Sequence, residues 1–546
     1  MSNVNSALNY LNNAVDNFSS NVDVHVKNVD VSSRKIQDTA ESVYKRVDKF
    51  RTDIMHGEEK QIAHENIMRI DQIIKEQFGN YDAIRKTIMG VVRDFDINLV
   101  RNSTIEQLSE ELWITSSRYW LSYALLAVTA WVNNYPDVAR NALSESGRKD
   151  AIKTSLFFCL LNLRFQRVST AREWFKVYCK TLDPTMLQQE TAIMIQGFMS
   201  GVFGKDKQLE HEVIEIINEW IRIISENAEI SEQLIGAYEG YFENFNMQGE
   251  FNYDAIAAFC TNADSIRRSF IDVSKYDNLI ALVDELSVDG VMRTDENYKA
   301  RIDAVLTNLI TNYDEEELEL KNEQQYFKLI VNNDGDKAIA QNQFDEIQRV
   351  QNESYNIGAQ MVDWVIYDDN ETTDVQVRKF GLQSTKAWFV SALENWTVKI
   401  KERCPLQYNF SIDTWNGTSN GRDLDEQRTS MKNYFENNKF KMVCVNNFNV
   451  ALLITFFISL IITVASIVMC VKSGFTPVLI VGIILALGSA AFLAFRILNG
   501  LKKFQKRVDQ AVYYLEATMA QIVEFQRYFS ENLRKKDDVI SRLSFI

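Results

Sequence analysis

Apolar residues are distributed along this chain in three distinct patterns. In the first, two runs from Val450 to Val471 and from Val478 to Phe495 carry no charged residue and are apolar on every helical face, with only Lys472 to Pro477 between them. Each run approaches the roughly 20 residues that an α-helix needs to cross a hydrocarbon core. A helix at the surface of a soluble domain keeps a polar stripe toward water, and neither run has one. The pattern predicts a two-helix transmembrane hairpin bounded by Val450, Val471, Val478 and Phe495.

The second pattern is the heptad. Near the N-terminus Val4, Leu8, Leu11, Val15, Phe18 and Val22 alternate by four and three; Val29 and Ile36 continue the seam past His25 and Ser32, and a shifted phase runs through Ala40, Val43, Val47, Phe50 and Ile54. Beyond the hairpin, Leu501, Val508, Val512, Leu515, Met519, Ile522 and Phe529 keep the same spacing. Such seams predict long helices or coiled coils. The C-terminal helix is expected to continue from the second span. Leu8, Leu11 and Val15 at one end, with Val508, Val512, Leu515, Met519 and Ile522 at the other, are the candidate oligomerisation residues. Val22, Val24 and Val26 alternate as a strand would, but the surrounding 3.5-residue period favours helix.

The third pattern fills the middle. From about Ile105 to Cys260, helix-length apolar periodicities alternate with breaks at Asn133–Pro136, Ser144–Gly147, Asp183–Pro184 and Gly204–Asp206. A second helical stretch reaches about residue 350 and includes an acidic run, Asp314–Glu317, expected to be solvated. Tyr408, Phe410 and Ile412 alternate with polar residues ahead of Asn416-Gly417, which predicts a strand and a turn. The expected organisation is an N-terminal coiled-coil or long-helix region (1–100), a helical-hairpin domain (101–260), a second helical region (261–375), a membrane-proximal helix and strand region (376–446), the hairpin (447–498) and a C-terminal coiled-coil helix (499–546). The fold class is mainly α, an elongated bundle or solenoid-like body. Its hairpin unit length resembles that of α-solenoid repeats such as TPR, and Ala171-Arg-Glu-Trp-Phe175 ahead of Pro184 resembles their small-then-aromatic packing, although no consensus recurs at a fixed period.

Composition agrees. Four prolines and twenty glycines in 546 residues are few chain breakers, below typical shares of about 5% and 7%. The six cysteines are scattered without a CxxC, which favours buried thiols over a disulfide framework or zinc site. A net charge of −15 disfavours nucleic acid as a partner. The juxtamembrane basic residues Lys439, Lys441, Arg496, Lys502, Lys503, Lys506 and Arg507, together with Lys432, flank the hairpin, while Lys472 alone lies in its loop. By the positive-inside rule both termini then face the cytoplasm in a two-pass membrane protein. No secretory signal is expected. Within the hairpin, Ser459, Thr463 and Ser466 lie on or near one face of the first helix, and Gly482, Ala486, Ala490 and Ala494 recur every four residues in the second, so these are the expected helix-packing residues.

Catalytic and metal-binding patterns are not found. Gly204-Lys205 lacks the spacing of a phosphate-binding loop. His211 and Glu215 sit one turn apart without a second histidine, and Glu285 to Glu296 departs from an EF-hand at its first two ligands. No catalytic residue, cofactor or metal is expected, and the chain is not expected to be an enzyme. The expectation is a membrane-anchored, self-associating helical scaffold or adaptor on the cytoplasmic face of a membrane, with the lipid bilayer, further copies of itself and an unidentified protein on its helical middle as partners. The alternative is a helical pore-forming or membrane-disrupting effector, since helical pore-forming toxins are similar in outline: an apolar hairpin flanked by long helices.

Overall fold

A computed structural model of the chain describes residues 2–94, 116–204, 206–288, 296–352, 354–367, 375–445, 450–473 and 477–545; within these ranges the side chains of residues 2–26, 29–30, 93–94, 209, 296–297, 444–445, 450–453, 455, 469–470, 472–473, 477–479, 482 and 485–486 lie outside the described set. With so few prolines and glycines to interrupt it, the chain is mainly helical. In order these helices are α1 (Ser2–Asp94), α2 (Trp120–Val132), α3 (Pro136–Lys149), α4 (Ala151–Arg164), α5 (Val168–Thr181), α6 (Gln189–Met199) and α7 (Lys207–Ser225). They continue as α8 (Ala228–Glu243), α9 (Asp254–Phe259), α10 (Ala263–Ser274), α11 (Tyr276–Ser287), α12 (Glu296–Thr311), α13 (Glu315–Asn332), α14 (Lys337–Gln351), α15 (Ile357–Ile366) and α16 (Val375–Arg403). After the hairpin of β1 (Tyr408–Ile412) and β2 (Trp415–Ser419) come α17 (Leu424–Phe440), α18 (Val450–Ser473) and α19 (Pro477–Leu543).

Contacts group these elements into two units, and the chain passes between them at three places. The first comprises residues 1–216 and 295–355, the second 217–294 and 356–546. The six consecutive segments expected from sequence therefore do not correspond to compact units, because each unit is assembled from distant stretches. Periodicity identifies which face of a helix is buried, but not which other helix covers it.

In the first unit, α2 packs with α3 and α4 with α5 as successive hairpins, in keeping with a solenoid-like body. Pro136 opens α3, where its missing N–H and fixed φ are harmless, and Asn134 just before it takes φ +62°. The expected break at Ser144–Gly147 is not one: α3 runs through it to Lys149. The stop comes at Asp150, whose carboxylate accepts a 2.8 Å hydrogen bond from the Lys153 backbone N–H and caps α4. Aromatic rings tie the hairpins together, with Trp120 on Phe157 at 6.0 Å and Phe175 on Phe203 at 4.7 Å between centroids. Helix α1, helical throughout as its 3.5-residue period predicts, packs along α13 through its C-terminal half, where Ala63, Ile70, Phe78, Ile84 and Ile88 are buried.

In the second unit, α16 is central and contacts α8, α10, α11, α15 and α19. Its Thr385 and Thr397 each donate to the carbonyl four residues back, at 2.7 and 2.6 Å. With those protons committed, the buried Tyr238 and Tyr276 hydroxyls donate to the threonine oxygens, each at 2.6 Å. The predicted strand at Tyr408, Phe410 and Ile412 forms with those residues buried. Its turn, however, is at Asp413-Thr414, with Asp413 at φ +55°, and Asn416-Gly417 lies inside the second strand. Gly417 serves there as a space: a Cβ would stand 2.2 Å from the Trp415 ring.

Candidate functional site

The feature of the chain with the least ordinary surface is the pair formed by α18 and the first half of α19, which pack against each other. Ser459 and Ser466 are buried, and Thr463 is half-buried on the same side. Each hydroxyl donates to a backbone carbonyl three or four residues earlier, at 2.7 Å in all three cases. Ser459 Oγ also lies 3.3 Å from Ser489 Oγ across the pair. The hydroxyls of this pair are thus hydrogen-bonded within it.

The outward side is different. Every exposed residue described between Ile454 and Val471, and between Ile480 and Phe495, lacks a polar side chain. Ten large apolar residues from Ile454 to Val471 and eight from Ile480 to Leu498 are exposed, among them Ile461 at 66% and Leu487 at 65%. Of the small residues expected at the packing face, Gly482 and Ala486 lie outside the described side chains, while Ala490 and Ala494 are exposed. The half-buried residues of that stretch are Ser489, Leu493 and Ile497, so the packing row sits one residue earlier than the small-residue row. Among the described residues no helix is long and apolar enough to cross a membrane. Val450, Val478 and other positions of both runs lie outside the described side chains, whereas Val471 and Phe495 are exposed.

The flanking basic residues have two different environments. Lys441, Arg496, Lys502, Lys503 and Lys506 are exposed. Lys439 pairs with Glu436 at 3.1 Å and lies 5.8 Å from the Phe504 ring centre. Arg507 pairs with Asp413 at the β-turn, with Nη2 to Oδ1 at 2.6 Å, which lifts its pKa above the ordinary guanidinium value. It therefore anchors the hairpin tip to α19, a role its sequence position beside an apolar run does not reveal.

The two heptad seams also diverge. On α19, Val508, Leu515, Met519 and Ile522 are buried and Val512 is half-buried, in a core shared with Ile256, Phe270, Phe410, Met431 and Phe435 of the same unit. That seam is covered by its own chain, which corrects the expectation that it is free for a second copy. A heptad stripe is also the stripe of any amphipathic helix on a globular core, and spacing does not distinguish the two. Leu8, Leu11 and Val15 lie outside the described side chains. Further along α1, Ile36, Val43, Val47, Phe50 and Ile54 are exposed.

One polar cluster was missed in the sequence. Glu317, within the acidic run expected to be solvated, is buried and accepts both Arg85 guanidinium nitrogens, Nη1 to Oε2 at 2.7 Å and Nη2 to Oε1 at 2.9 Å. Burial opposes the Arg85 charge, but the Glu317 carboxylate overrides it and holds the pKa above the usual range. Tyr81 stacks on Tyr119 at 4.1 Å, and burial, reinforced by Asp314, pushes the Tyr81 hydroxyl up to about 12. A cleft of about 500 Å³ opens beside the pair, lined by Asp82, Arg85, Lys86, Met89, Thr311 and Tyr313. Arg85 faces this cleft already neutralised by Glu317, so its charge is not free for an anionic ligand, and the cluster is structural.

His211 and Glu215 are exposed and 3.2 Å apart; no cluster of metal-ligating side chains occurs among the described residues. Of the EF-hand-like positions, Asp289, Gly290 and Met292 lie outside the described set, as does the side chain of Glu296. No protein-family model, curated protein or solved structure matches the chain.

Proposed function

We propose that this protein is a helical scaffold or adaptor held at a membrane by α18 and the first half of α19. Both long flanks lie on the cytoplasmic side, and further copies and an unidentified protein partner engage its helical body. The observation that carries the reading is the sidedness of the helix pair: hydroxyls turned inward, and no polar side chain among the exposed described residues of either apolar run. Covering a large apolar side chain is worth about 1.5–3 kcal/mol when complete, so covering eighteen half-exposed ones with lipid is favourable by on the order of 20 kcal/mol. That exceeds the roughly 5–15 kcal/mol that stabilises a whole domain. Neither run carries a charge that would oppose transfer. The exposed lysines and arginine on the flanks, against Lys472 alone in the loop, support the orientation.

The pore alternative requires a polar face to line water. Ser459 and Ser466, the best candidates, are buried in the helix pair and already hydrogen-bonded, which favours a sealed anchor. The test is a variant with six outward lysines near the middle of the two runs, Ile458→Lys, Ile461→Lys and Ile462→Lys on α18 with Ile483→Lys, Ile484→Lys and Leu487→Lys on α19. At the centre of a lipid-embedded helix each lysine costs about 2.5–3.5 kcal/mol, so together they offset most of what lipid coverage contributes, whereas on a water-exposed face they cost almost nothing. We expect the wild-type chain to stay with membranes through a carbonate wash and the variant to be largely lost from them. A wild-type chain extracted by carbonate, or a variant retained equally well, would remove the anchor from the proposal.

A further inference from the structure

We infer that the exposed seam of α1 between Ile36 and Gly57 docks a second copy of this chain in antiparallel orientation. The inference rests on the self-association in the proposed function and adds its location and direction. The seam consists of Ile36, Ala40, Val43, Val47, Phe50 and Ile54, spaced by four and three; all are exposed, Ile36 at 70% and Phe50 at 66%. An unbroken a/d stripe of this kind on a helix is covered when a second helix lies along it.

Among the described residues, no other part of the chain covers it. Helix α1 meets the rest of its unit mainly on the opposite side: Ala63 and Ile70 are buried there and Glu59 pairs with Lys337 at 2.6 Å, while Lys60, at the margin of the seam, pairs with Asp334 at 2.8 Å. Gly335 approaches the His56 backbone so closely that a Cβ would lie 1.9 Å from the His56 carbonyl oxygen. Ile54 and Ala63 are nine residues apart, two and a half turns, and hence on opposite faces of the helix. A second helix along the seam would leave the contacts to α13 and α14 intact.

Charge decides the occupant and its direction. With Ala40, Val47 and Ile54 at a positions and Ile36, Val43 and Phe50 at d, the flanking e and g sites hold Gln37, Thr39, Tyr44, Arg46, Arg51, Asp53 and Glu58, all exposed, and the half-buried Lys60. A parallel in-register pair would set Arg46 beside Arg51 of the second copy and Asp53 beside Glu58, two like-charge contacts repeated on both sides of the seam. An antiparallel pair centred between Asp48 and Lys49 sets Arg46 beside Asp53 of the second copy twice along one side of the seam and Tyr44 beside Arg51 twice along the other, with Thr39 beside Lys60 and Gln37 beside Glu58 at the ends. Both like-charge contacts are then gone and the central flanking contacts are attractive, the second kind through a cation over an aromatic ring. The core layers also match in size: Val47 meets Phe50, Val43 meets Ile54, and Ala40 meets Gly57, small opposite large or small opposite small. The seam is therefore complementary to itself in reverse, as a two-fold interface between identical chains requires.

The test uses the full chain in membranes. Two differently tagged copies are co-expressed, one Val43→Cys and one Ile54→Cys, and oxidised; the chain without introduced cysteines gives the background. We expect disulfides between Val43→Cys of one copy and Ile54→Cys of the other, with few within either variant, because like positions lie about 16 Å apart along an antiparallel seam. Arg46→Asp should lower that yield at least fivefold, and adding Asp53→Arg should restore it. In a parallel pair Arg46→Asp would instead strengthen the contact with Arg51. Disulfides predominantly within each variant, or a rise in yield with Arg46→Asp, would overturn the inference. Association of the full chain by light scattering in mild detergent without any disulfide at this seam would also overturn it, while leaving the scaffold proposal standing. Loss of membrane residence with the disulfides intact would remove the anchor and leave the seam.

Discussion

Glu317→Gln tests the buried ion pair between α1 and α13 at nearly constant shape. The Arg85 and Glu317 side chains are 7% and 2% exposed and share two short hydrogen bonds. The substitution leaves a guanidinium buried without its counter-charge and turns an amide N–H₂ toward donors it cannot satisfy. Two unit charges about 4 Å apart at an effective dielectric near 20 interact by about 4 kcal/mol, which agrees with the roughly 3–5 kcal/mol lost when one member of a buried pair is removed. No allowance for solvent screening is due, since water scarcely reaches either group. The chain has two units, so global unfolding is a poor measure of this; amide hydrogen exchange of residues 78–92 and 315–325 in the full chain reports the opening of this contact alone. At tenfold per 1.4 kcal/mol, exchange should quicken by about two to three and a half decades. Glu323→Gln is the internal control. Its pair with Arg69 joins the same two helices, but the partners are 42% and 56% exposed, and a surface pair is worth about 0–1 kcal/mol. Equal effects of the two substitutions, or an effect of Glu317→Gln below about fivefold, would refute the argument that burial makes this pair matter.

Two further outcomes follow from the core. Leu515→Asp should destabilise the second unit by several kcal/mol, about the cost of an unpaired buried charge, because Leu515 is fully buried in its own chain; loss of near-ultraviolet circular dichroism at every protein concentration is expected, whereas a change only in association would return α19 to the role of a free coiled coil. Alkali should weaken both units. Burial raises Tyr81, Tyr276 and Tyr408 from 10.0 to about 12. These groups hold their protons more tightly when folded, so their contribution is complete below pH 10 and is lost as pH rises toward 12; flat stability across that window, measured by thermal denaturation, would contradict the burial of these hydroxyls.

Some of this molecule was decided by sequence alone. Helix, the strand signal at Tyr408–Ile412, the proline positions and the apolar runs all depend on interactions within about one turn or one hairpin, and local spacing carries that information. The 67-residue α19 was legible as a second apolar run continuing into a heptad, because no proline follows Pro477 and the isolated glycines at 482, 488 and 500 each cost a helix only about 1 kcal/mol. Tertiary structure decided what each apolar face meets. Val508 to Ile522 and Ile36 to Ile54 have the same spacing, yet the first is covered by β1, α9, α10 and α17 and the second is bare. The difference lies in partners from several tens to more than two hundred residues away in sequence, beyond the reach of any periodicity. Glu317 and Glu323 illustrate the same limit for charge. Both are glutamates on one helix facing arginines of another, and only the packing around them excludes water from one and admits it to the other. The Asn416-Gly417 pair carries a turn signature and lies in a strand because the Trp415 ring needs the empty space at Gly417, a three-dimensional requirement that outweighs a local preference.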